Sequence, residues 1–303
     1  MNKIIEVKDF VKNYGEVKAV KGISFYVEEG KLFSFLGPNG AGKSTTINAL
    51  CTLLEMDKGE ITVAGFDLKK EAQKIRQEIG VVFQESVLDD KLTVRENLMI
   101  RGGLYLKGRR TIKKAVEEVV DLISLKEFVH RPYGKLSGGQ RRRADIGVAL
   151  LHKPKILFLD EPTTGLDPQT RLMIWDTIKQ LQSLSGMTLF LTTHYMEEAA
   201  DSDYIIIIDH GEIAAKGTPT ELKIQYASDT LRITTKDEDR LLKQLVFTQL
   251  KWKVVGSEVV IQLKNAKEAL EIIEEYKEHV ESFEVKRGSM DDVFIGITGR
   301  EIR

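Results

Sequence analysis

The segment Gly37-Pro38-Asn39-Gly40-Ala41-Gly42-Lys43-Ser44 combines glycines, a lysine and a hydroxyl in a spacing suited to phosphate groups. It fits the pattern G-x-x-x-x-G-K-[S/T] and lies between a candidate strand, Leu32–Leu36, and a helical pattern that runs from Ser44 to near Leu54. Glycines let backbone N–H groups turn toward phosphate oxygens, and the positive end of the helix adds to the attraction. We expect Lys43 to contact the β- and γ-phosphates of a nucleotide and Ser44 to bind Mg²⁺. A tight glycine turn without a ligand is the alternative.

Two carboxylates follow the apolar run Ile156–Leu159. Asp160 and Glu161 come directly after it, so a buried strand would deliver both at its carboxyl end. In open α/β sheets, that edge binds ligands. We expect Asp160 to hold Mg²⁺ and Glu161 to orient and activate an attacking water. The alternative is that the pair only begins the loop before Pro162.

A third group of small residues, Leu136-Ser137-Gly138-Gly139-Gln140, precedes a helical pattern around Arg141–Leu151. Ser137 and the backbone N–H groups of this helix start are suited to a second anion. A flexible turn is the alternative interpretation. The run of Arg141, Arg142 and Arg143 that follows is typical of a solvated helix face.

These residues need a scaffold, and the first 220 residues indicate an α/β sheet. The strand candidates besides residues 32–36 are Ile4–Val7, Gly22–Val27, Gly59–Val63, Val81–Phe83, Ile156–Leu159, Thr188–Thr192 and Tyr204–Ile208. Residues from about 86 to 152 have mostly helical patterns, with a capping box at Thr93 and Glu96 and apolar helical spacing over Thr111–Leu125. A further helix is predicted over Arg171–Leu184. Alternating strands and helices predict a largely parallel sheet.

The character of the chain changes near Gly217-Thr218-Pro219, where we expect a turn and then a linker at Ala227-Ser228-Asp229. We place one domain at residues 1–220, with a helical subdomain at about 86–152, and a small α+β domain at 228–303. The second domain has the predicted order βαββαβ of ferredoxin-like folds, and its last helix begins at Ser289.

Composition limits the classes of function. The chain has 303 residues with 45 Lys plus Arg and 46 Asp plus Glu, and this balance argues against a nucleic-acid partner. The single cysteine, Cys51, fits a reducing compartment and is interpreted as a core thiol. The first residues lack the apolar core of a signal peptide, and runs such as Ile205–Ile208 fall far short of the roughly 20 residues that span a bilayer. We expect a cytoplasmic protein that reaches the membrane only through a partner.

Taken in order, these motifs resemble those of the nucleotide-binding subunits of ATP-binding cassette (ABC) transporters. The resemblance covers residues 1 to about 220. It implies a P-loop NTPase fold with a mostly parallel sheet, an antiparallel β region and a helical subdomain. It also implies that Tyr14 stacks on adenine, that Gly37–Thr45 is the Walker A loop, Gln84 the Q-loop glutamine, Leu136–Gln140 the signature, Asp160-Glu161 the end of Walker B, Gly165-Leu166-Asp167 the D-loop and His194 the switch histidine.

In that family, Lys43, Gln84, Glu161 and His194 would serve hydrolysis, and Ser44, Gln84 and Asp160 would surround Mg²⁺. Each lone residue also has a simpler interpretation. Tyr14 fits ordinary packing beside Gly15, Gln84 a surface position at a strand end, and His194 a core histidine.

The resemblance also implies partners. The family holds ATP between Walker A of one domain and the signature of another, and this chain has one of each. A second copy, or a related subunit, would close head-to-tail to complete two sites. The closest resemblance is to daunorubicin-type drug-resistance exporters, through Tyr195–Ala199, Met290–Phe294 and the tail Thr298-Gly299-Arg300-Glu301.

In that group, an ABC-2 type permease carries the substrate, and the ATPase sits on the inner face of the cell membrane. Related subunits move drugs, polysaccharides, lipids or ions, so the resemblance leaves the class of substrate open. We expect the permease to dock near Glu85–Leu104. A soluble ABC ATPase acting on ribosomes or nucleic acid is the alternative.

Overall fold

A computed structural model describes residues 2–235 and 237–299. Within it the chain forms two compact units, one that ends at Lys216 and one that begins at Gly217. The boundary expected from the sequence, between 220 and 228, falls slightly later in the chain. The end of the tail motif, Arg300 and Glu301, lies outside the described residues.

The first unit contains ten strands and six α-helices among its described residues. The strands are β1 (Lys3–Tyr14), β2 (Val17–Glu28), β3 (Leu32–Leu36), β4 (Lys58–Val63), β5 (Phe66–Asp67), β6 (Ile79–Val82), β7 (Ile156–Asp160), β8 (Thr188–Thr193), β9 (Tyr204–Asp209) and β10 (Glu212–Gly217). The helices are α1 (Lys43–Leu50), α2 (Ala72–Glu78), α3 (Val94–Gly102), α4 (Arg109–Leu122), α5 (Gly138–Leu150) and α6 (Pro168–Ser185). Short 3-10 helices cover Tyr133–Lys135 and Met196–Asp201.

The larger sheet of this unit positions the candidate site. Its strand order is β10-β9-β3-β8-β7-β6, and the pairs from β9 to β6 are parallel. In this register Leu36 lies opposite Thr193, and Asp160 lies opposite Thr192. The carboxyl ends of β3, β8 and β7 therefore meet at one edge, as the sequence predicts.

The central strands are buried on both faces, which explains their apolar runs. On one face Phe33, Phe158 and Phe190 pack with ring centroids 5.1–5.3 Å apart. On the other face, leucines such as Leu157 and Leu189 pack with the core of the helical segment. The sheet is thereby held from both sides, and its carboxyl edge is left to the loops.

Two further parts complete the first unit. An antiparallel sheet of order β2-β1-β4-β5 buries Ile23, Phe25 and Val27 of β2, which confirms the predicted alternation. Between β6 and β7, the chain is mostly helical, and the capping box of Thr93 and Glu96 starts α3 as predicted.

The second unit contains β11 (Asp229–Thr234), α8 (Glu238–Leu245), β12 (Trp252–Val255), β13 (Glu258–Leu263), α9 (Glu268–Glu275) and β14 (Ser282–Lys286), preceded by α7 (Pro219–Tyr226) and followed by α10 (Met290–Thr298). The predicted βαββαβ order is confirmed. Its antiparallel sheet has the order β12-β13-β11-β14, and Leu231, Ile233, Val259 and Ile261 form its core with α8 and α9.

One prediction for this unit was wrong. The segment after Gly217 is helix α7 rather than a turn, since Thr218 and Glu221 form a capping box and Pro219 occupies the first helical position. Helix α7 packs against α10, where a Cβ on Gly296 would lie 2.4 Å from the carbonyl oxygen of Tyr226. Among the residues described in the two units, no helix is both long and apolar enough to cross a membrane.

Candidate nucleotide-binding site

The loop after β3 is shaped by its glycines. Gly42 adopts a φ of +110°, and a Cβ there would lie 2.7 Å from the carbonyl oxygen of Ala19. A Cβ on Gly37 would lie 2.3 Å from the carbonyl oxygen of Ile208. Both positions therefore require glycine, and the loop passes tightly between β2 and β9 before entering α1. The first N–H groups of α1 are left for a ligand, since its N-cap residue, Gly42, has no side chain that could cap them.

Lys43 is the first residue of α1 and is buried. Its Nζ donates to the carbonyl oxygens of Gly37 at 2.8 Å and Pro38 at 3.2 Å, and lies 3.5 Å from Oε1 of Glu161. Burial lowers the pKa of Lys43, while Glu161 partly opposes this shift. The lysine thus spans the loop and points its charge toward the carboxylate at the end of β7.

Asp160 and Glu161 are both buried and are anchored to Thr192 of the neighbouring strand. The Thr192 hydroxyl donates to Oδ1 of Asp160 at 2.5 Å, and the Glu161 N–H donates to the Thr192 carbonyl at 3.1 Å. Burial, the larger cause, and the nearby Glu161 raise the pKa of Asp160. Glu161 has a φ of +45°, a left-handed conformation that is uncommon outside glycine and clusters at functional sites.

His194 follows β8 and completes this group. Its Nδ1 lies 3.4 Å from Oε1 of Glu161 and has no hydrogen bond to any described residue. The ring packs on Tyr195 with centroids 4.1 Å apart. Glu161 therefore lies between two nitrogen groups, the ammonium of Lys43 and the imidazole of His194.

A cavity of about 510 Å³ opens over these residues. Among the described residues, it is lined by Ala19, Asn39, Gly40, Gly42, Lys43, Ser44, Thr45, Gln84, Glu161, Thr164 and His194. The structure thus brings the loop, the glutamine, the glutamate and the histidine together from four separate parts of the sequence. A nucleotide phosphate chain would meet cationic, hydroxyl and amide groups in this cavity.

Other predicted residues do not line this cavity. Tyr14 is half exposed at the end of β1, with the Lys12 ammonium 5.7 Å from its ring centroid. Ser137 instead forms a capping box with Gln140 at the start of α5, and Asp167 caps α6 through the Thr170 N–H. The signature approaches α6 closely, because a Cβ on Gly139 would lie 2.3 Å from the side-chain methyl of Thr170. The signature and the D-loop therefore pack on each other, apart from the cavity of the same chain.

Comparisons with known proteins connect this geometry to a family. Residues 20–164 match the family described as ABC transporter, and residues 217–298 match the DrrA1-3-like C-terminal domain of ATP-binding proteins. The chain is 39% identical over 311 residues to the linearmycin resistance ATP-binding protein LnrL of Bacillus subtilis (strain 168), covering 99% of this chain and 100% of that protein. The chain belongs to the ABC transporter family of ATP-binding proteins.

Two further relatives agree with this assignment. The daunorubicin/doxorubicin resistance ATP-binding protein DrrA of Streptomyces peucetius is 36% identical over 307 residues, covering 98% of this chain and 93% of that protein. An ATP-binding cassette solved as a dimer in a post-hydrolysis state with ADP and Pi is 29% identical, with a TM-score of 0.63, covering 71% of this chain and 98% of that chain. The protein is thus an ABC ATPase that binds nucleotide, and the predicted fold class is confirmed.

One expectation for this ABC ATPase was wrong. Arg142 does not lie on a solvated face but is buried, with 7% exposure. Its guanidinium donates to the carbonyl oxygens of Pro162 at 2.6 Å and Glu161 at 2.8 Å, more weakly to that of Asp160 at 3.3 Å, and also to that of Phe83. The signature helix α5 is thereby tied to the end of β7 and to the residue before Gln84.

The sequence contains a signal for this burial. Arg142 precedes Ile146 by four residues and Ala149 by seven, so it shares the buried face of α5 with them. The run of three arginines hides that periodicity, because two of its members, Arg141 and Arg143, point elsewhere. Arg141 donates to the carbonyl oxygen of Gly134 at 2.7 Å, and Arg143 lies 4.9 Å over the ring of Phe128.

Proposed function

We propose that this ABC ATPase powers an exporter of the drug-resistance type by hydrolysing ATP between two head-to-tail copies. The similarity to LnrL and DrrA over nearly the whole chain, with the C-terminal domain included, is the observation that carries the proposal. Both relatives are named as resistance ATP-binding proteins. The transported substrate would be chosen by the membrane partner.

In this proposal, the phosphates of ATP lie against the loop Gly37–Thr45 and the start of α1. Lys43 leaves its loop carbonyls to contact the β- and γ-phosphates, since an anion is a stronger partner than a neutral carbonyl. Glu161 accepts a proton from the attacking water, and His194 stabilises charge at the γ-phosphate. Tyr14 stacks on the adenine.

Residues at the same edge fit a bound Mg²⁺. Ser44, Gln84 and Asp160 offer a hydroxyl, an amide oxygen and a carboxylate, which are the hard oxygen donors that this ion prefers. Among the described residues, no cation forms an ion pair with the buried Asp160 carboxylate, and a metal ion would favour its charged form. The ion would neutralise charge that develops on the transferred phosphoryl group.

The proposed partners are a second copy and an ABC-2 type permease. Ser137, Gly138, Gly139, Gln140 and Asp167 would face the nucleotide of the partner copy, which agrees with their position away from the cavity of their own chain.

The permease would dock on the first unit, beside the Q-loop. A groove there is lined by Leu53, Val87, Arg101, Leu104 and Tyr105, and Leu104 is 70% exposed. The ATPase would then sit on the inner face of the membrane.

The test is the ATPase rate with and without the candidate permease in lipid vesicles. We expect the permease to raise the rate, and Glu161→Gln to lower it by about 10²–10⁴ while ATP still binds. Leu104→Glu should remove the stimulation but keep the basal rate, and Ile224→Glu, also on an exposed apolar residue, is the matched control. A rate indifferent to any permease would contradict the transport role.

A further inference from the structure

A buried acidic residue, Glu198, lies in the 3-10 helix that follows His194. Its carboxylate accepts two hydrogen bonds from threonine hydroxyls. One comes from Thr193 at 2.6 Å, and the other comes from Thr163. All three residues are at most 6% exposed. This carboxylate therefore joins two loops that are separate in sequence.

The two loops carry the candidate groups for hydrolysis. Thr193 directly precedes His194, and Thr163 follows Glu161 by two residues. The Thr193 hydroxyl also accepts from the Tyr195 N–H at 2.9 Å, so both sides of His194 are held by one threonine. A displacement of either loop would change the 3.4 Å separation between His194 and Glu161.

We propose that Glu198 is a positioning residue, which fixes His194 and Glu161 relative to each other through Thr193 and Thr163. The inference rests on the roles proposed for His194 and Glu161 in hydrolysis. Within the described residues, the hydrogen bonds to the Glu198 carboxylate come from neutral hydroxyls, so its burial is costly compared with an apolar side chain of the same volume. The function of the carboxylate is geometric: each of its two oxygens holds one loop.

The two hydrogen bonds of Glu198 also predict how glutamine and alanine at this position should differ in their effect. Glutamine keeps the shape, and its amide has an oxygen and an NH₂ group that can each pair with a threonine hydroxyl, because a hydroxyl both donates and accepts. Alanine loses both links and removes the acceptor of two buried threonine hydroxyls. Glu197 next to it is exposed and provides a matched control.

The first experiment measures kcat and KM for ATP of the full-length protein. We expect Glu198→Ala to lower kcat by about 10- to 100-fold with KM changed less than about threefold, since misplaced groups slow chemistry without removing the phosphate-binding loop. Glu198→Gln should restore most of the rate, and Glu197→Ala should behave as wild type. Thr163→Val and Thr193→Val each remove one link with little change in volume, and they test the idea even if the alanine variant does not fold.

The second experiment is a double-mutant cycle with His194→Ala. If Glu198 acts through His194, the loss from Glu198→Ala should shrink at least about twofold in that background. If the kcat losses of Glu198→Ala and His194→Ala simply multiply in the double variant, the proposal is overturned. Wild-type rates in Glu198→Ala, or in both valine variants, would also overturn it. Full activity in Glu161→Gln and His194→Ala would instead contradict the proposed function itself, so the two failures are distinguishable.

Discussion

Asp160 is buried at the end of β7, where its carboxylate accepts from the hydroxyl of Thr192 and the nearby charges of Lys43 and Arg142 only partly offset the burial. Burial raises the pKa of Asp160, so without nucleotide the folded protein binds this proton more tightly than the unfolded chain does. Above the raised pKa, the ionised carboxylate therefore lowers the stability of the fold. A cation bound to Asp160 would offset this loss of stability.

The raised pKa of Asp160 leads to a prediction for Asp160→Asn in the absence of nucleotide. The variant should unfold at a higher temperature than wild type at pH 8, because it lacks the buried charge. The difference should fall as pH decreases through the raised pKa, and should vanish below the ordinary aspartate pKa, where both states are protonated. Thermal unfolding measured by calorimetry from pH 8 to about pH 3 checks this.

The matched control is Asp176→Asn, since Asp176 is exposed on α6. It should leave the unfolding temperature nearly unchanged at every pH. A destabilised Asp160→Asn at pH 8, or a stability difference independent of pH, would contradict the account of this site.

Helix α5 connects three parts of the site. It starts at the signature, and through Arg142 it holds the carbonyl oxygens of Phe83, Asp160, Glu161 and Pro162. One turn later, Asp145 accepts from the Ser86 hydroxyl at 2.6 Å and from Tyr133 at 3.0 Å. Helix α5 thus forms hydrogen bonds to both sides of Gln84, through Phe83 before it and Ser86 after it.

We predict that Arg142→Ala lowers the free energy of unfolding by about 2–5 kcal/mol, because it leaves several buried carbonyl groups unpaired. Arg110→Ala, on an exposed turn of α4, should change it by less than about 0.5 kcal/mol. Urea unfolding followed by circular dichroism measures both. Equal stability of the two variants would show that the buried contacts of Arg142 contribute little.

The sequence predicted those elements whose signals are local. The alternating apolar residues of β2, the capping box that starts α3 and the serine that caps α10 depend on neighbours within a few positions, and each was predicted. Helix α7 has the same kind of box, but Gly217 and Pro219 around its Thr218 favoured a turn.

Contacts between distant segments were not predictable in this way. The partners of Arg142 lie 18 to 59 positions away, and those of Glu198 include a residue 35 positions away. No local pattern encodes such pairs, because the sheet register brings them together. The motifs around Lys43, Asp160 and His194 were recognisable because their chemistry restricts the residue types as well as the spacing.

We expect the complete nucleotide site to need a second copy of the chain. The cavity of one chain is lined from the P-loop, the Q-loop, Walker B and His194, while the signature lies elsewhere on the same unit. A related cassette was solved as a dimer with ADP and Pi. We therefore expect ATP to close two copies and hydrolysis to release them.

The most direct test is the mass of Glu161→Gln in solution, measured by light scattering with and without Mg-ATP. We predict a shift from the monomer mass of 34.3 kDa to twice that value when ATP is added. Adding Ser137→Arg to the same chain should prevent the shift while nucleotide still binds. If Glu161→Gln binds ATP with an intact signature but keeps its monomer mass, ATP-driven dimerisation is contradicted.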